Sequence, residues 1–456
     1  MSLRVPVLGV GERLDRLTLS RSHYLILILL GATLFFDNFE SFMSGAVLGA
    51  MVDSGFSDAK HNVYFLAATY GGFAIGAFTS GALSERFGSR ILFTFNLLLL
   101  GVSSFACYFA TDFSSLSGYR LLTGFAMGGE FVVSLALLVE FMPKVARARS
   151  MATIGLVMGL TAFVANYVAF QVIPGFGWRY MFVIPGAGAL LLLLLRFWVP
   201  ESPRWLSLRG RYDDAEKVLR RIEGDQYQPC ELKRSADTQN KGEMPISGLF
   251  RGEMKMRTFV ACVMATGVSF GGFTFSSWLP TFLVERGFSV DWALGFTTIV
   301  SLGIPVGALA GIILGNRLGR KASMTIAIAI ATLAISAYPF AGTAAIAAAL
   351  GFIFSAGAYF VGMNVNFYVN EIFPTGYRYR GGGLAQSTAK IFTVASPFLV
   401  GAIYEAVGEG ASIGLIAAAF IIMGLVLSLW GTETMAQSLD EVAPDETAES
   451  AVPAEA

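Results

Sequence analysis

The chain alternates long apolar runs with short polar segments. The runs lie at 24–52, 62–83, 91–110, 117–141, 151–173 and 179–199, then at 257–284, 292–315, 322–340, 344–370, 383–406 and 411–430. About 20 apolar residues suffice for a helix to cross a bilayer core of about 30 Å, so the pattern predicts twelve membrane-spanning helices. Six lie on either side of a polar stretch at 200–256, and the fold class that follows is an all-α membrane protein. The first run is too long for a signal-peptide core and no small-residue cleavage site closes it, so it is expected to remain as an uncleaved helix.

Composition agrees with this reading. Of the 456 residues, 55% are hydrophobic and 14% charged, with a mean hydropathy of +0.63. The 32 basic and 32 acidic residues cancel, which leaves no electrostatic case for nucleic acid. Cys107, Cys230 and Cys262 are scattered without a CxxC, and His23 and His61 lie at a helix start and in a loop. Neither a disulfide framework, a metal centre nor a cofactor is expected.

The distribution of positive charge predicts orientation. Twenty-six of the 32 basic residues fall in the N-terminal segment, the central stretch and alternate loops, whereas the opposite loops hold Lys60 and Arg286. By the positive-inside bias, both termini face the cytoplasm. The expected location is the plasma membrane, the inner membrane of a bacterium.

An internal repeat divides the chain. Arg86-Phe87-Gly88-Ser89-Arg90 returns as Arg317-Leu318-Gly319-Arg320-Lys321, and Glu140-Phe141-Met142-Pro143 with Arg147 and Arg149 returns as Glu371-Ile372-Phe373-Pro374 with Arg378 and Arg380. Both pairs are displaced by 231 residues, so the two six-helix halves are a duplication. Six crossings return the chain to its starting side, and the repeats are therefore parallel. Transporters of that construction place their substrate site near the bilayer midplane, between the halves. The expected division is an N-terminal bundle at 1–205, a linker with short amphipathic helices at 206–256, a C-terminal bundle at 257–431 and an acidic disordered tail at 432–456.

Charges inside the apolar runs are the candidate chemistry. Asp37 and Glu40 stand three residues apart in the middle of the first run, one turn from each other on a helix face. A charge at that depth costs several kcal/mol or more, so it faces a polar cavity and marks a substrate or proton path, or else pairs with a basic residue of another helix. Arg120 and Glu130 lie on the fourth run, separated by roughly 15 Å of helix, and Lys390 lies in the eleventh. Asn364 and Trp278 are the better polar and aromatic candidates for a pocket lining, with Tyr167 a further one, since a pocket combines an apolar wall with a few placed polar groups.

The motifs resemble those of the major facilitator superfamily over nearly the whole chain. Gly81-Ala82-Leu83-Ser84-Glu85-Arg86-Phe87-Gly88-Ser89-Arg90 is similar to that superfamily's loop motif, with Glu85 for an aspartate and Ser89 for a basic residue. Arg120 to Gly129 resembles its fourth-helix motif, and Pro200-Glu201-Ser202-Pro203-Arg204-Trp205-Leu206 resembles the sugar porters and their organic-ion relatives. The sugar-porter Pro-Glu-Thr is reduced here to Thr432-Glu433-Thr434. Asp37-Asn38-Phe39-Glu40 is similar to the Asp-Gly-Phe-Asp of aromatic-acid:proton symporters.

The resemblance implies proton-coupled uptake of a small organic anion by alternating access, in a chain for which a monomer suffices. It implies Asp37, Glu40 and Glu130 as proton-coupling acids, and Arg120, as partner of Asp37, with Lys390 as anion ligands. Glu85, Arg86, Arg90, Glu140 and Arg147, with Arg317, Arg320, Glu371 and Arg378, are the expected gate, since charge networks at helix ends can bias a two-state equilibrium. A neutral sugar or polyol porter and a proton-coupled exporter of organic cations are the alternatives. A membrane enzyme would need a nucleophile, metal or cofactor constellation that the sequence lacks.

Overall fold

The computed structural model describes residues 7–224, 231–232, 246–314, 319–373 and 378–434. Arg317 and residues 435–456 of the expected tail lie outside the described residues, and for Glu85, Arg147 and Arg378 only the helical backbone is described. The chain divides into two compact units, Met1–Asn240 and Lys241–Ala456.

Unit 1 carries α1 (Val10–Asp15), α2 (Arg21–Asp53), α3 (Ala59–Phe87), α4 (Ser89–Tyr108), α5 (Phe113–Phe141), α6 (Lys144–Phe176) and α7 (Tyr180–Leu195), followed by α8 (Pro203–Leu208) and α9 (Tyr212–Glu223). Unit 2 carries α10 (Met254–Glu285), α11 (Val290–Ser301), α12 (Gly303–Leu314), α13 (Arg320–Ala337), α14 (Ala344–Glu371), α15 (Arg378–Val407) and α16 (Glu409–Trp430). Among the described residues the one sheet is a two-residue parallel pair, Val7–Leu8 with Glu231–Leu232.

Among the described residues eleven helical stretches, with α11 and α12 counted as one, are long and apolar enough to cross a membrane, and the shorter α7, extended by a 3₁₀ turn at Arg196–Trp198, supplies the twelfth. Most helices outrun the apolar runs that predict them. α3 begins three residues before 62 and ends at Phe87, and α6 begins at Lys144 rather than 151. Hydropathy reads the slab of hydrocarbon, whereas backbone hydrogen bonding continues into the polar margin. Side-chain caps set several starts: Asp58 accepts from the His61 N–H at 2.7 Å, and Asp112 from that of Ser115 at 2.8 Å. The predicted span 292–315 is broken into α11 and α12 at Leu302. Pro305 has no N–H for the Ser301 carbonyl, which is where the ladder fails.

Each unit is closed by a glycine seam. A Cβ on Gly72 or Gly76 of α3 would lie 2.1 Å from Leu121 O or 1.9 Å from Phe125 O on α5. In unit 2 Gly303 and Gly307 of α12 meet Phe352 O and Ala356 O of α14 at 2.3 and 2.1 Å in the same sense. These glycines are again 231 residues apart, so the duplication extends to backbone packing. Large apolar side chains such as Phe78, Leu333 and Leu429 remain exposed on the outer faces, as a lipid-bathed surface requires.

Candidate functional site

Unit 1 holds a cluster of ionisable side chains in its interior. Glu40 on α2 and Arg120 on α5 are fully buried and joined by Nη1 to Oε2 at 2.5 Å. Ser104 of α4 donates to the other oxygen of Glu40. Arg120 Nη2 donates to Ser44 Oγ and Nε to Thr69 Oγ1, each at 3.2 Å. Its planar face lies 4.8 Å from the Phe65 ring centroid and 5.7 Å from that of Phe182. Five helices, α2 to α5 and α7, thus meet on this one ion pair. A buried pair of this kind holds its bundle together chiefly because removing one partner strands the other charge.

Two further acids have no such support. Asp37 is buried near the middle of α2, and among the described residues neither of its carboxylate oxygens meets a hydrogen-bond partner. Glu130 is buried on α5, accepts from Ser134 Oγ at 3.2 Å through Oε1, and leaves Oε2 unpartnered. Asp37 lies within electrostatic range of both Glu40 and Glu130. The sequence expectation that Arg120 pairs with Asp37 is therefore corrected: the partner is Glu40, one turn further along. Arg120 also gives one N–H each from Nε, Nη1 and Nη2 to protein groups, three of its five donors.

In unit 2, Lys390 is half-buried on α15, with its Nζ 5.8 Å from the Phe273 ring centroid on α10. One turn earlier, Gln386 Nε2 donates to Asn366 Oδ1 of α14 at 3.1 Å, and both side chains are exposed although they lie in membrane-spanning helices. Asn364 is buried, and its amide donates to Phe360 O one turn back. Trp278 is buried against Phe282 and Tyr404 at centroid separations of 5.6 and 6.4 Å, as core rather than as an open wall. Tyr167, in unit 1, stacks on Phe163 and is exposed.

The loop motifs build a matched pair of helix caps. Gly88 and Gly319 have φ of 95° and 84° and precede α4 and α13. Glu201 Oε1 and Oε2 each accept from the Arg90 N–H at 3.3 Å, and Glu433 accepts from the N–H groups of Arg320 and Lys321 at 2.8 and 3.1 Å. A carboxylate at a helix N-terminus meets both unsatisfied donors and the positive end of the dipole. A Cβ at Gly88 would come within 2.4 Å of Glu201 Oε2, and one at Gly319 within 2.8 Å of Glu433 Oε2. Burial raises the Glu201 carboxyl above its ordinary range, against the opposing pull of the Ser202 and Arg90 N–H groups.

The side chains beside these caps differ. In unit 2 Arg320 Nε donates to Glu371 Oε2 at 2.6 Å, and Thr434 Oγ1 donates to the same oxygen at 2.6 Å. In unit 1 Ser89 occupies the position of Arg320, and Oε2 of Glu140, the counterpart of Glu371, is buried without a partner among the described residues. Arg86 is exposed over Phe87, at 5.4 Å from its ring centroid. Of the expected gate charges with described side chains, only Arg320 and Glu371 are bonded to each other.

Sequence reasoning missed Ser44, Thr69, Ser104, Phe65 and Phe182 around Arg120, and Gln386 beside Lys390. Ser44 follows Glu40 by four residues and Gln386 precedes Lys390 by four, so helical spacing carried a signal for these two. The others come from separate helices and carried none. Among the described residues no group of three His, Cys, Asp or Glu side chains could hold a metal ion.

Twelve spans in two repeats, with buried ionisable groups in their interior, define a membrane transporter of the major facilitator architecture. The chain belongs to the sugar (and other) transporter family, whose profile matches residues 29–445. It is 31% identical to the inner membrane metabolite transport protein YdjE of Escherichia coli over 95% of this chain and 98% of that protein. It is 29% identical to the niacin transporter NiaP of Acinetobacter baylyi over 85% of this chain and 89% of that one. Among solved structures, a partially occluded inward-open form of the E. coli xylose transporter XylE aligns with a TM-score of 0.71 at 20% identity, covering 92% of this chain and all of the other. At that identity the likeness concerns the fold.

Proposed function

We propose that this transporter is a proton-coupled importer of a small organic monocarboxylate, with aromatic and heteroaromatic acids as its substrate class. The observation that carries the reading is the charge balance inside unit 1, where three buried carboxylates, Asp37, Glu40 and Glu130, share one guanidinium. Burying a carboxylate without a counter-charge is costly, and a proton removes the charge. Asp37, with no donor at either oxygen, is assigned the exchangeable proton, while Glu40 and Arg120 form the fixed pair. In unit 2 the Lys390 ammonium beside the Phe273 ring, one turn from Gln386, suits a carboxylate attached to an apolar ring. The niacin specificity named for NiaP, a relative aligned over most of both chains, supports the same substrate class.

Coupling in this scheme is thermodynamic. A proton at Asp37 and an anion at Lys390 each bias one conformational equilibrium, so each favours binding of the other. Both termini are assigned to the cytoplasm, and a single chain is the working unit. The Arg320–Glu371–Thr434 junction is the firmest member of the gate.

The test uses purified protein in liposomes with an internal pH dye. Nicotinate, benzoate, sugars and organic cations are added outside in turn. Protons entering with a carboxylate support the reading, as does loss of that signal in Lys390→Gln. Uptake of labelled sugar with silence for every acid would instead select a sugar porter, the reading that the family's name favours. Proton exit in exchange for a cation would reverse the direction.

A further inference from the structure

Asp37 and Glu40 lie one turn apart on α2, and Arg120 is bonded to Glu40. Both are carboxylates on one helix, so what selects between them must come from neighbouring helices. Glu40 has two donors: Arg120 Nη1 on Oε2 and the Ser104 hydroxyl on Oε1. Ser44 and Thr69 accept two further N–H groups of Arg120, and the rings of Phe65 and Phe182 cover its faces. Among the described residues Asp37 meets no donor.

We propose that Ser104 is a positioning residue of the proton site: by completing the donor set of Glu40, it holds Glu40 as the partner of Arg120 and leaves Asp37 to carry the proton. The inference rests on the reading of Asp37 as the exchangeable acid. Donors aimed at a carboxylate favour its ionised form, and a buried acceptor that loses its donor pays its full desolvation. Without the Ser104 hydroxyl, Glu40 Oε1 is a buried acceptor with nothing to accept, as both oxygens of Asp37 are, and Arg120 on Oε2 is its one remaining donor. The two acids then compete for one proton, and the site loses its single carrier.

The ionisable groups around this site are few. α2 brings Asp37 and Glu40, α5 brings Arg120 and Glu130, and α4 brings the buried thiol of Cys107, within electrostatic range of Arg120 and Glu40. The neighbours from α3 and α7 are Thr69, Phe65 and Phe182, which do not titrate. Tyr167 of α6 is exposed and stacked on Phe163.

Infrared difference spectra of the full chain in liposomes, titrated with pH, read the C=O stretch of each protonated carboxyl group. Asp37→Asn, Glu40→Gln and Glu130→Gln assign the bands, and the pH profile of substrate uptake is recorded on the same samples. In the wild type one band is expected to vanish in Asp37→Asn. In Ser104→Ala a second band, sensitive to Glu40→Gln, is expected, with the uptake midpoint moved by about one pH unit. Ser104→Thr keeps a hydroxyl and is expected to restore both. Ser104→Cys, a weak donor of similar size, serves if alanine impairs folding. A Ser104→Ala spectrum and pH profile that overlay the wild type would overturn the proposal. A wild-type spectrum with no Asp37-dependent band would overturn the assignment of the proton itself, and it is read before any change is made at Ser104.

Discussion

Arg120 is bonded to Glu40 at 2.5 Å, while Asp37, one turn away on the same helix, has no partner at either oxygen. The two acids should therefore answer differently to removal of their charge. Glu40→Gln leaves a fully buried guanidinium without its counter-ion and is expected to cost about 3–5 kcal/mol, seen as a large fall in thermal unfolding temperature in detergent. Asp37→Asn removes a group that supports nothing. It is expected to leave unfolding near the wild type while abolishing proton movement and retaining exchange of labelled substrate.

The carboxylate caps of α4 and α13 give a second prediction. Gly88→Ala places a side chain on a backbone with φ of 95° and 2.4 Å from Glu201 Oε2. The strain is expected to cost about 1–3 kcal/mol and to displace the cap. Hydrogen exchange in the first turn of α4 should rise in Gly88→Ala and in Glu201→Ala alike. Equal protection in both variants and the wild type would remove the cap as a stabilising contact.

The third concerns the missing clamp of unit 1. Ser89 stands where Arg320 reaches Glu371, and Glu140 Oε2 is left buried without a partner. Ser89→Arg is expected to bridge α4 to Glu140 as Arg320 bridges α13 to Glu371. Unfolding temperature should rise, and the gain should disappear in the Ser89→Arg, Glu140→Gln double variant. A gain indifferent to Glu140 would show that the bridge does not form.

The N-terminal helix is tied to the linker by a buried arginine, and this contact carries a pH dependence. Arg13, fully buried, donates to Glu223 Oε1 and Oε2 at 2.9 and 2.7 Å and is bonded to Glu216. Burial alone would raise the Glu216 carboxyl, but its bonds to Arg13 and Arg220 outweigh that and hold it below its ordinary value of 4.5. A depressed carboxylate lends stability above that value and loses it as the pH falls through the folded value. Proteolysis between α1 and α2 is thus expected to accelerate below about pH 4.5. Arg13→Ala should release α1 at neutral pH as well, since the buried Glu223 then keeps only Arg16, at 3.9 Å, as a counter-ion.

Much of this protein could be read along the chain. Each of the twelve apolar runs coincides with helix, because a polar backbone in hydrocarbon must satisfy its own hydrogen bonds. The displacement of 231 residues that relates Arg86 to Arg317 also relates Gly72 to Gly303 and Gly88 to Gly319, which do the same work in the two units. The break at Leu302 was missed, although Pro305 announced it. The equivalence of Glu201 and Glu433 was half-hidden, since Thr432-Glu433-Thr434 reads as a decayed motif while its carboxylate caps α13 as Glu201 caps α4.

The sequence alone determined which helices exist, where they repeat and which carry charge into the membrane, because those properties follow from composition and period within one segment. Only the tertiary structure decided that Arg120 belongs to Glu40, that Ser104 and Thr69 complete the pair, and that Asp37 and Glu130 have no cation bonded to them among the described residues. Helical period places Asp37 and Glu40 on one face but does not say how that face is turned toward α4 and α5. A turn of one residue rotates a side chain by about 100°, and the choice of partner lies within that rotation.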